Sequence, residues 1–549
     1  MATDEGLDSQ ASDGTGRIGF RVRMAVTGHR RIDDRDAVSK GVLDAFAQIQ
    51  AMLPHTRATP VAFTVVSSLA EGADRLVARE AFGALAEHGV VLEAALPMPA
   101  SDYLEDFPSE ESRAEFEQLM GLAAEHRQLT ARDPEEGDER ETAYQRAGRY
   151  VVDRSDVLIA LWDGKPARGK GGTAEIVAYA EHHGVPVLRV ATNATGVPAL
   201  ASAPAALRVP ALDALASLDS YNSTAIPDSA FETQRAREDR RLGNILGGSS
   251  LLAQYRLIAA WALPHLVRAD MLAVRYQRRY TRLGRTIHFL AALAVTAVAG
   301  QVVFARDHPT WLVIEVGLML LVVVVLRFGR RGRFHERWIS YRSLAEAFRS
   351  SIFIAMSGAR QPGDAQSDTG LPELGQSWFQ RAFSEAWAGS PSLDVDEGDA
   401  AELSRFVEEG WVDDQIAYYK HAAERAAKLR VRYTRTISAL ASATVVVALL
   451  HIFKVGEGTW LPKALEFVAI VLPAFGAAVA GLREQGQYRV HEERSRRAAG
   501  RLETLKAGIR LRSGLRGVQS LAAETQTLLL DENSDWSGVT EFQDLELVV

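Results

Sequence analysis

The sequence predicts an α/β fold at the amino terminus, with a Rossmann-like open parallel sheet, followed by an all-α membrane region of four transmembrane helices in two duplicated hairpins. Short apolar runs alternate with helical patterns over residues 20–190, which is typical of βαβ units. Four apolar runs in the second half of the chain each approach the ~20 residues that span a bilayer. The residues Arg-Tyr-Thr-Arg begin at Arg279 and again at Arg432, which indicates that the hairpin is duplicated.

The alternating pattern defines the elements of the first domain. The predicted strands are 22–26, 61–67, 90–96, 157–162 and 185–190, and the predicted helices are 37–52, 73–85, 111–124, 141–153 and 173–183. Strands that alternate with helices form a parallel sheet, and ligands of such sheets bind beyond the carboxyl ends of the strands. We therefore look for a ligand site in the loops that follow the strands.

Three of these loops, at residues 27–30, 67–74 and 163–175, carry glycines and polar side chains. We expect them to converge on one crevice, because the carboxyl ends of parallel strands lie along the same edge of a sheet. The predicted ligand-binding residues are Thr27, Gly28, His29, Arg30, Ser68, Glu71, Gly72, Asp74, Lys170, Gly171, Gly172, Thr173 and Glu175.

The third loop predicts a phosphate cradle. The glycine-rich run 169–172 would let backbone amides approach a ligand, and Thr173 begins a helix whose amino end favours anions. Glu175 could accept hydrogen bonds from ribose hydroxyls, while Arg30 and Lys170 could neutralise phosphate charge. The alternative is that the glycines only form a tight turn and that Glu175 complements the helix dipole.

These motifs resemble those of the SLOG superfamily, the Rossmann-like group that holds LOG phosphoribohydrolases, DprA-like proteins and nucleotide sensors of bacterial conflict systems. Residues 26–30, 71–74 and 171–175 carry the resemblance, which covers roughly residues 20–195. It implies a nucleotide-derived ligand and no other cofactor. The LOG motif places its acid three residues after the threonine, whereas here it follows by two, and this difference argues against enzymatic activity.

The second half of the chain is similar to the SLATT type of membrane effector, in which a helical hairpin is followed by a further helix. The predicted spans are 286–305 and 310–328 in the first hairpin and 436–453 and 461–482 in the second. Arginines flank both hairpins on the side of their free ends, so we expect a multi-pass protein of the cell membrane with cytoplasmic amino and carboxyl termini and external hairpin turns.

Two acids, Glu315 and Glu466, lie inside the second span of each hairpin. Carboxylates inside membrane spans are rare and often functional. One interpretation is that they reach the outer surface beside Trp311 and Trp460, which would act as interfacial anchors. The other is that they line a cation path in a homo-oligomer.

Composition limits the possible functions. The chain has 549 residues, of which 24% are charged, and its mean hydropathy of −0.07 conceals the four apolar runs. A net charge of −8 gives no support for nucleic-acid binding. The chain has no cysteine, which excludes disulfides, thiolate catalysis and cysteine metal sites, and we expect no metal.

We expect seven segments along the chain. They are a disordered tail at 1–17, a SLOG-like nucleotide-binding domain at 18–220, a helical connector at 221–285, a hairpin with a cytoplasmic helix at 286–358, cytoplasmic helices and loops at 359–435, a second hairpin with a cytoplasmic helix at 436–530, and an acidic tail at 531–549.

Three functions fit this organisation. The leading hypothesis is a membrane effector of bacterial defence that senses a nucleotide second messenger and perturbs or permeabilises the bilayer. The second is a membrane-tethered nucleotide N-glycosidase, a phosphoribohydrolase-like enzyme with Glu175 or Asp163 as nucleophile or base. The third, a structural scaffold without a ligand, leaves the three loops unexplained.

Overall fold

The computed structural model describes residues 14–129, 140–166, 171–192, 200–304, 309–358, 377–393, 395–509 and 514–541. The chain divides into two compact units. The first unit comprises Met1–Ala225 and Gly363–Ser390, and the second comprises Ile226–Pro362 and Pro391–Val549. A segment that lies between the two hairpins in the sequence therefore belongs to the α/β unit.

The first unit contains a seven-stranded sheet in the order β4-β3-β2-β1-β5-β6-β7. The strands are β1 (Phe20–Gly28), β2 (Val61–Ser67), β3 (Val90–Leu96), β4 (Glu125–Gln128), β5 (Val157–Leu161), β6 (Val187–Val190) and β7 (Leu200–Ser202). All neighbouring strands are parallel except β6 and β7, which are antiparallel. Every residue of β5 is buried, as is usual for a central strand that is covered on both faces. The predicted α/β fold is confirmed.

Eight helices of the described residues complete this unit. They are α1 (Arg35–Met52), α2 (Ala73–Ala84), α3 (Ala100–Leu104), α4 (Glu110–Leu122), α5 (Arg140–Asp153), α6 (Thr173–His182), α7 (Val209–Ser223) and, from the later segment, α12 (Trp378–Trp387). Local signals fix where several of them begin. The side chain of Asp34 accepts a hydrogen bond from the amide of Ala37 at the start of α1, and that of Ser109 caps α4 in the same way.

The strand order reverses between β1 and β5. From β1 the chain passes to β2, β3 and β4 on one side and returns to β5 on the other side. Thr27 pairs with Ala160 and Gly28 pairs with Leu161, so the two strands end at the same level. Such a reversal is the topological switch point, where open α/β sheets form their ligand crevice.

Helix α12 packs against α7 and β1 of the first unit. Ser377 and Gln380 form a capping box at its amino end, so the helix has a defined start after residues 359–376, which lie outside the described part of the chain. The rings of Trp378 and Tyr221 lie 5.9 Å apart between α12 and α7. The sequence predicts helices in this region, but it does not predict that one of them packs on the α/β domain.

The second unit is helical throughout its described residues. Its helices are α8 (Asp228–Gly243), α9 (Leu252–Phe304), α10 (Pro309–Gly332), α11 (Phe334–Ser357), α13 (Ala400–Val407), α14 (Asp413–Ile452), α15 (Leu461–Gly486), α16 (Tyr488–Ile509) and α17 (Leu515–Glu541). Helix α9 joins the predicted connector to the first span without a break, despite Pro264 inside it. Helix α17 continues into the segment that we interpreted as an acidic tail.

Among the described residues, four helical stretches are long and apolar enough to cross a membrane, as predicted. They are Leu252–Phe304, Thr310–Ser357, Glu397–Ile452 and Leu461–Gly508. The helices that carry the apolar runs pack as a row in the order α10, α9, α15, α14. Small residues permit close contact in this row: a Cβ atom at Gly300 would lie 2.9 Å from the ring of Trp311, and one at Gly481 would collide with the ring of His288.

The duplication extends to the break between each second span and its trailing helix. Residues 332–334 and 486–488 each contain a glycine, a residue with positive φ and an aromatic residue. Arg333 has a φ of 44° and Gln487 has a φ of 40°, which is the left-handed conformation that commonly ends a helix. Both copies therefore use the same backbone turn to redirect the chain after the membrane-spanning run.

Candidate functional site

His29 and Asp163 meet at the switch point of the sheet. His29 follows β1 and Asp163 follows β5 by two residues. The imidazole Nε2 of His29 lies 3.0 Å from Oδ1 of Asp163 and 3.2 Å from its backbone nitrogen. The first and third of the predicted loops therefore converge, as their position at the carboxyl ends of neighbouring strands requires.

Asp163 is held in its ionised form. Partial burial tends to raise the pKa of its carboxyl, but hydrogen bonds from the backbone and side chain of Lys165, together with His29, lower that pKa to about 2. The Nζ atom of Lys165 lies 3.1 Å from Oδ2. A carboxylate with so low a pKa can accept hydrogen bonds from a ligand at neutral pH, but it is a weak general base.

The second loop packs directly on the first, and two of the predicted glycines allow it. Gly72 has a φ of 89°, and a Cβ atom there would collide with the carbonyl oxygen of Arg30. A Cβ atom at Gly28 would collide with the side chain of Ala73. The amide of Ala73 donates to the carbonyl oxygen of His29 at 3.1 Å. Because these two positions are glycines, the backbones of the first and second loops can lie in contact. This contact positions the polar residues of the two loops.

Asp74 lies inside the second loop with 5% of its surface exposed. It accepts hydrogen bonds from the hydroxyl of Ser67 at 3.1 Å and from the amide of Ala70 at 3.4 Å. Burial raises the pKa of Asp74 to about 6, although these hydrogen bonds and the nearby Arg75 act to lower it. Asp74 is therefore a buried residue that stabilises the loop through these hydrogen bonds. Ser68 and Glu71 are half-buried.

Arg75, which the sequence analysis did not select, anchors the same loop. Its guanidinium is fully buried, donates from Nε to the carbonyl oxygen of Leu69 at 3.0 Å and donates from Nη1 to that of Ser112 at 2.7 Å. It also lies 4.2 Å from the centre of the Phe107 ring. These contacts fix the loop to α4 and explain why an arginine is tolerated in the core.

The third loop is fastened by Glu175. One carboxylate oxygen accepts from the amide of Gly171 at 2.8 Å, and the other accepts from Arg149 at 3.2 Å and from the side chain of Gln145. Burial tends to raise the pKa of Glu175, but these three donors lower it below its ordinary value. Glu175 therefore stabilises its own loop. Lys170 lies outside the described residues.

Two helix amino termini without a side-chain cap lie beside the crevice. Gly172 is the N-cap of α6 and Gly72 is the N-cap of α2, and neither helix receives a side-chain hydrogen bond at its cap. Thr173 is the first residue of α6. At α2 the amide of Ala73 already donates to the carbonyl oxygen of His29. The amino end of α6 is made electropositive by its helix dipole, which favours a phosphate or another anion.

Helix α5 contributes residues that the sequence analysis missed. The guanidinium of Arg30 lies 5.2 Å from the ring centre of Tyr144, whose hydroxyl donates to Asp106. Burial, and then the hydrogen bond to Asp106, raise the pKa of Tyr144 to about 12, so the phenol remains protonated. Arg140 reaches the same carboxylate at 3.1 Å. The only sequence signal was a polar helix before β5, which no local rule assigns to a site.

Charged groups of the kinds that suit a phosphate or a sugar lie on the loops and helices that follow β1 and precede and follow β5. Cationic groups come from Arg30, Lys165 and Arg149, while Asp163 offers carboxylate oxygens for hydroxyl donors. Thr27 is half-buried at the end of β1. Within the residues that the structure describes, no group of three or more His, Asp or Glu side chains is arranged to hold a metal ion.

The acids of the predicted membrane path do not lie on neighbouring helices. Glu315 is half-buried on α10, and Glu466 is exposed on α15. Helix α9 packs against both of these helices and lies between them in the row. Within one chain, α9 therefore separates the two helices that carry these acids.

The described residues form an α/β unit with a topological switch point, joined in one chain to four helices that are long and apolar enough to cross a membrane. Comparison with protein families and with curated protein sequences found no match to this chain.

Proposed function

We propose that the protein is a membrane effector that senses a nucleotide second messenger through its SLOG-like α/β unit and responds by perturbing or permeabilising the bilayer, in bacterial defence. The observation that carries this proposal is the meeting of His29 and Asp163 at the switch point of the sheet, 3.0 Å apart. Open α/β sheets bind nucleotides at this position.

The surroundings of this pair suit a nucleotide. The uncapped amino terminus of α6 at Gly172 offers amides to a phosphate, and Arg30 adds a positive charge on the loop that follows β1. Asp163 is ionised and accepts hydrogen bonds from donors such as ribose hydroxyls. The ring of Tyr144, with Arg30 on one face, provides an aromatic wall on the same edge of the unit.

The helical unit supplies the response in this proposal. Arginines at the free ends of both hairpins favour cytoplasmic termini and external turns in the cell membrane. Helix α9 continues from the connector into the first span, so a rotation or shift of its cytoplasmic part reaches the membrane directly. A homo-oligomer is part of the proposal because Glu315 and Glu466 need partners from another chain to line one path.

A second candidate is the membrane-tethered N-glycosidase. Asp163 supports the N-glycosidase, because an ionised carboxylate beside an imidazole can act as a nucleophile. Glu175 does not favour it, because its carboxylate already accepts from Gly171, Gln145 and Arg149. The sensor is therefore the better supported function.

The deciding experiment uses the full chain in detergent and then in liposomes. Linear, cyclic and ADP-ribose-type nucleotides are screened by thermal shift, because a ligand at 100 times its Kd stabilises the folded state by about 2.7 kcal/mol. The fragment 18–220 is unsuitable, since it lacks α12 and would leave the buried Asp156 without Arg381. The best nucleotide is then added to dye-loaded liposomes that carry the protein, and free base is measured by chromatography.

A nucleotide that stabilises the chain and releases the dye while remaining intact supports the effector. Stoichiometric or catalytic release of free base without dye leakage would instead establish the N-glycosidase. If no nucleotide stabilises the chain, both the effector and the N-glycosidase are excluded, and the scaffold hypothesis remains.

A further inference from the structure

A cavity of about 450 Å³ lies in the helical unit, where the apolar runs of both hairpins give way to polar helices. Arg285 lines it directly before the run 286–304, and Leu482 lines it at the end of the run 461–482. Tyr433 lines it three residues before the run 436–453. Three of the four runs therefore end at this cavity, which is the level at which lipid headgroups lie around a membrane protein.

Positive charge predominates in the lining. Arg285, Arg342, Arg425 and Arg494 outnumber the two carboxylates, which belong to Glu346 and Glu532. Both carboxylates already have arginine partners. Glu346 lies 2.5 Å from Arg342 and also pairs with Arg349, and Glu532 lies 3.8 Å from Arg494 and 3.4 Å from Arg501. Among the described residues, Arg285 and Arg425 form no ion pair, so two guanidinium groups remain available to an anion.

Aromatic pairs from both copies of the repeat form walls of the same cavity. The rings of Tyr280 and His335 stack at 4.6 Å in the first copy, and those of Tyr433 and Tyr488 stack at 5.3 Å in the second. A lining with aromatic, apolar and cationic parts matches an amphiphile that carries a phosphate.

We propose that this cavity binds anionic phospholipid headgroups, with Arg285 and Arg425 as ion-pair partners of their phosphates. We assign the phosphate to a lipid because the cavity lies at the ends of three apolar runs. At this level the acyl chains of a lipid hold its phosphate in place. This inference rests on the proposed insertion of the four helices into a membrane. It adds a second ligand site, in a different unit from the nucleotide crevice.

The test compares Arg285→Gln/Arg425→Gln with a matched control, Arg282→Gln/Lys428→Gln. The control residues lie on the same two helices, three positions away, carry the same charge and do not line the cavity. The full chain in neutral detergent is titrated with dioleoylphosphatidylglycerol or dioleoylphosphatidylcholine, and its Tm is followed. Separate samples receive sn-glycerol 3-phosphate, which carries the phosphate without acyl chains.

We expect phosphatidylglycerol, but not phosphatidylcholine, to raise the Tm of the native chain and the control. The tested variant should need roughly tenfold more phosphatidylglycerol for the same shift, because it lacks two charge-assisted contacts. Equal titrations of the tested and control variants would overturn the site, and a full shift with sn-glycerol 3-phosphate would overturn the lipid as its source. Sedimentation of the native chain with membranes tests insertion separately, so the two failures are distinguishable.

Discussion

Arg381 donates to both carboxylate oxygens of Asp156, at 2.8 and 2.6 Å, although the two residues are 225 positions apart in the chain. Arg381 also donates to the carbonyl oxygen of Arg21 at 2.6 Å and lies 4.3 Å from the ring centre of Phe20. Asp156 accepts a further hydrogen bond from the amide of Arg23 at 2.9 Å. The pair therefore ties a helix from between the two hairpins to the amino-terminal ends of the central strands.

This relationship predicts a large effect of Arg381→Gln on the α/β unit. Burial tends to raise the pKa of Asp156, but Arg381 lowers it below the ordinary value of 3.8, so the carboxylate is charged in the folded protein. Removing one partner of a buried pair costs about 3–5 kcal/mol. The expected loss can be measured from hydrogen exchange of amides in β1 and β5. It should shrink as the pH falls below the ordinary pKa of 3.8 and disappear below the lower pKa that Asp156 has in the folded protein.

The matched control for this variant is Arg189→Gln, which removes an exposed ion pair with Glu181. We expect it to cost about 1 kcal/mol or less. A double-mutant cycle with Asp156→Asn then isolates the coupling between the buried partners. If Arg381→Gln and Arg189→Gln change exchange in β1 and β5 equally, α12 is not tied to the sheet by this pair.

Asp74 gives the α/β unit a pH dependence of the opposite sign. Burial raises the pKa of its carboxyl from 3.8 to about 6, so between about pH 4 and about pH 6 the folded state binds more protons than the unfolded state. The free energy of unfolding should therefore fall as the pH rises through this range. Asp74→Asn removes the titration, and the native chain should lose up to about 3 kcal/mol relative to that variant.

The comparison is made from Tm values of the α/β transition at several pH values between 4 and 7. Asp36→Asn, an exposed acid in the first turn of α1, serves as the control and should follow the native curve. Parallel curves for the native chain and Asp74→Asn would contradict the raised pKa of the buried carboxyl.

Gly172 tests the phosphate cradle. Its φ of −69° is open to other residues, so Gly172→Asp and Gly172→Asn should both fold and both cap α6. Only the aspartate places a negative charge where a phosphate would meet the amides, so it should weaken binding of the best nucleotide by about tenfold or more. Equal affinities of the two variants, measured by calorimetry, would show that the amino end of α6 does not bind the phosphate.

Glu175 distinguishes binding from catalysis at the same site. Glu175→Gln keeps an oxygen that can accept from Gly171 but loses the charge that attracts Arg149, so we expect a smaller loss of affinity than for Gly172→Asp. Base release is measured in parallel by chromatography. Unchanged affinity together with complete loss of base release would favour the N-glycosidase over the sensor.

The predicted topology can be tested with single cysteines, because the native chain has none. Asp307→Cys, in the first turn expected from the sequence, and Glu457→Cys, in the second turn, should react with a membrane-impermeant thiol reagent from outside the cell. Gly456 is less suitable, since its φ is 79° and a Cβ atom there would lie 2.7 Å from Leu461. Glu117→Cys in the α/β unit is the internal control, and labelling of either turn only after lysis would reverse the topology.

Glu315 and Glu466 predict the selectivity of any ligand-dependent conductance. Carboxylates beside an aqueous path attract cations, so Glu315→Gln/Glu466→Gln should shift the reversal potential in a salt gradient toward that of a nonselective leak. Glu457→Gln, an exposed turn residue, is the control of equal charge type. An unchanged reversal potential in the double variant would show that the two acids only reach the outer surface.

The sequence by itself determined the fold class, the four apolar helices, the duplication and the loops that surround the crevice. These features are local, because strand and helix periods, apolar length and glycine-rich turns are each recorded within a few dozen consecutive residues. The convergence of His29 and Asp163 was also predictable, since the ends of parallel strands share one edge of the sheet.

Only the tertiary structure decided which distant residues contact each other. It packed α12 on the α/β unit through Arg381 and Asp156, bound Glu175 to α5, and separated Glu315 from Glu466 by a helix. Local patterns do not contain this information, because a buried ion pair or a helix order is selected by the complementarity of whole surfaces after the chain has folded. In the sequence, Arg381 looks like an ordinary polar residue of an exposed helix.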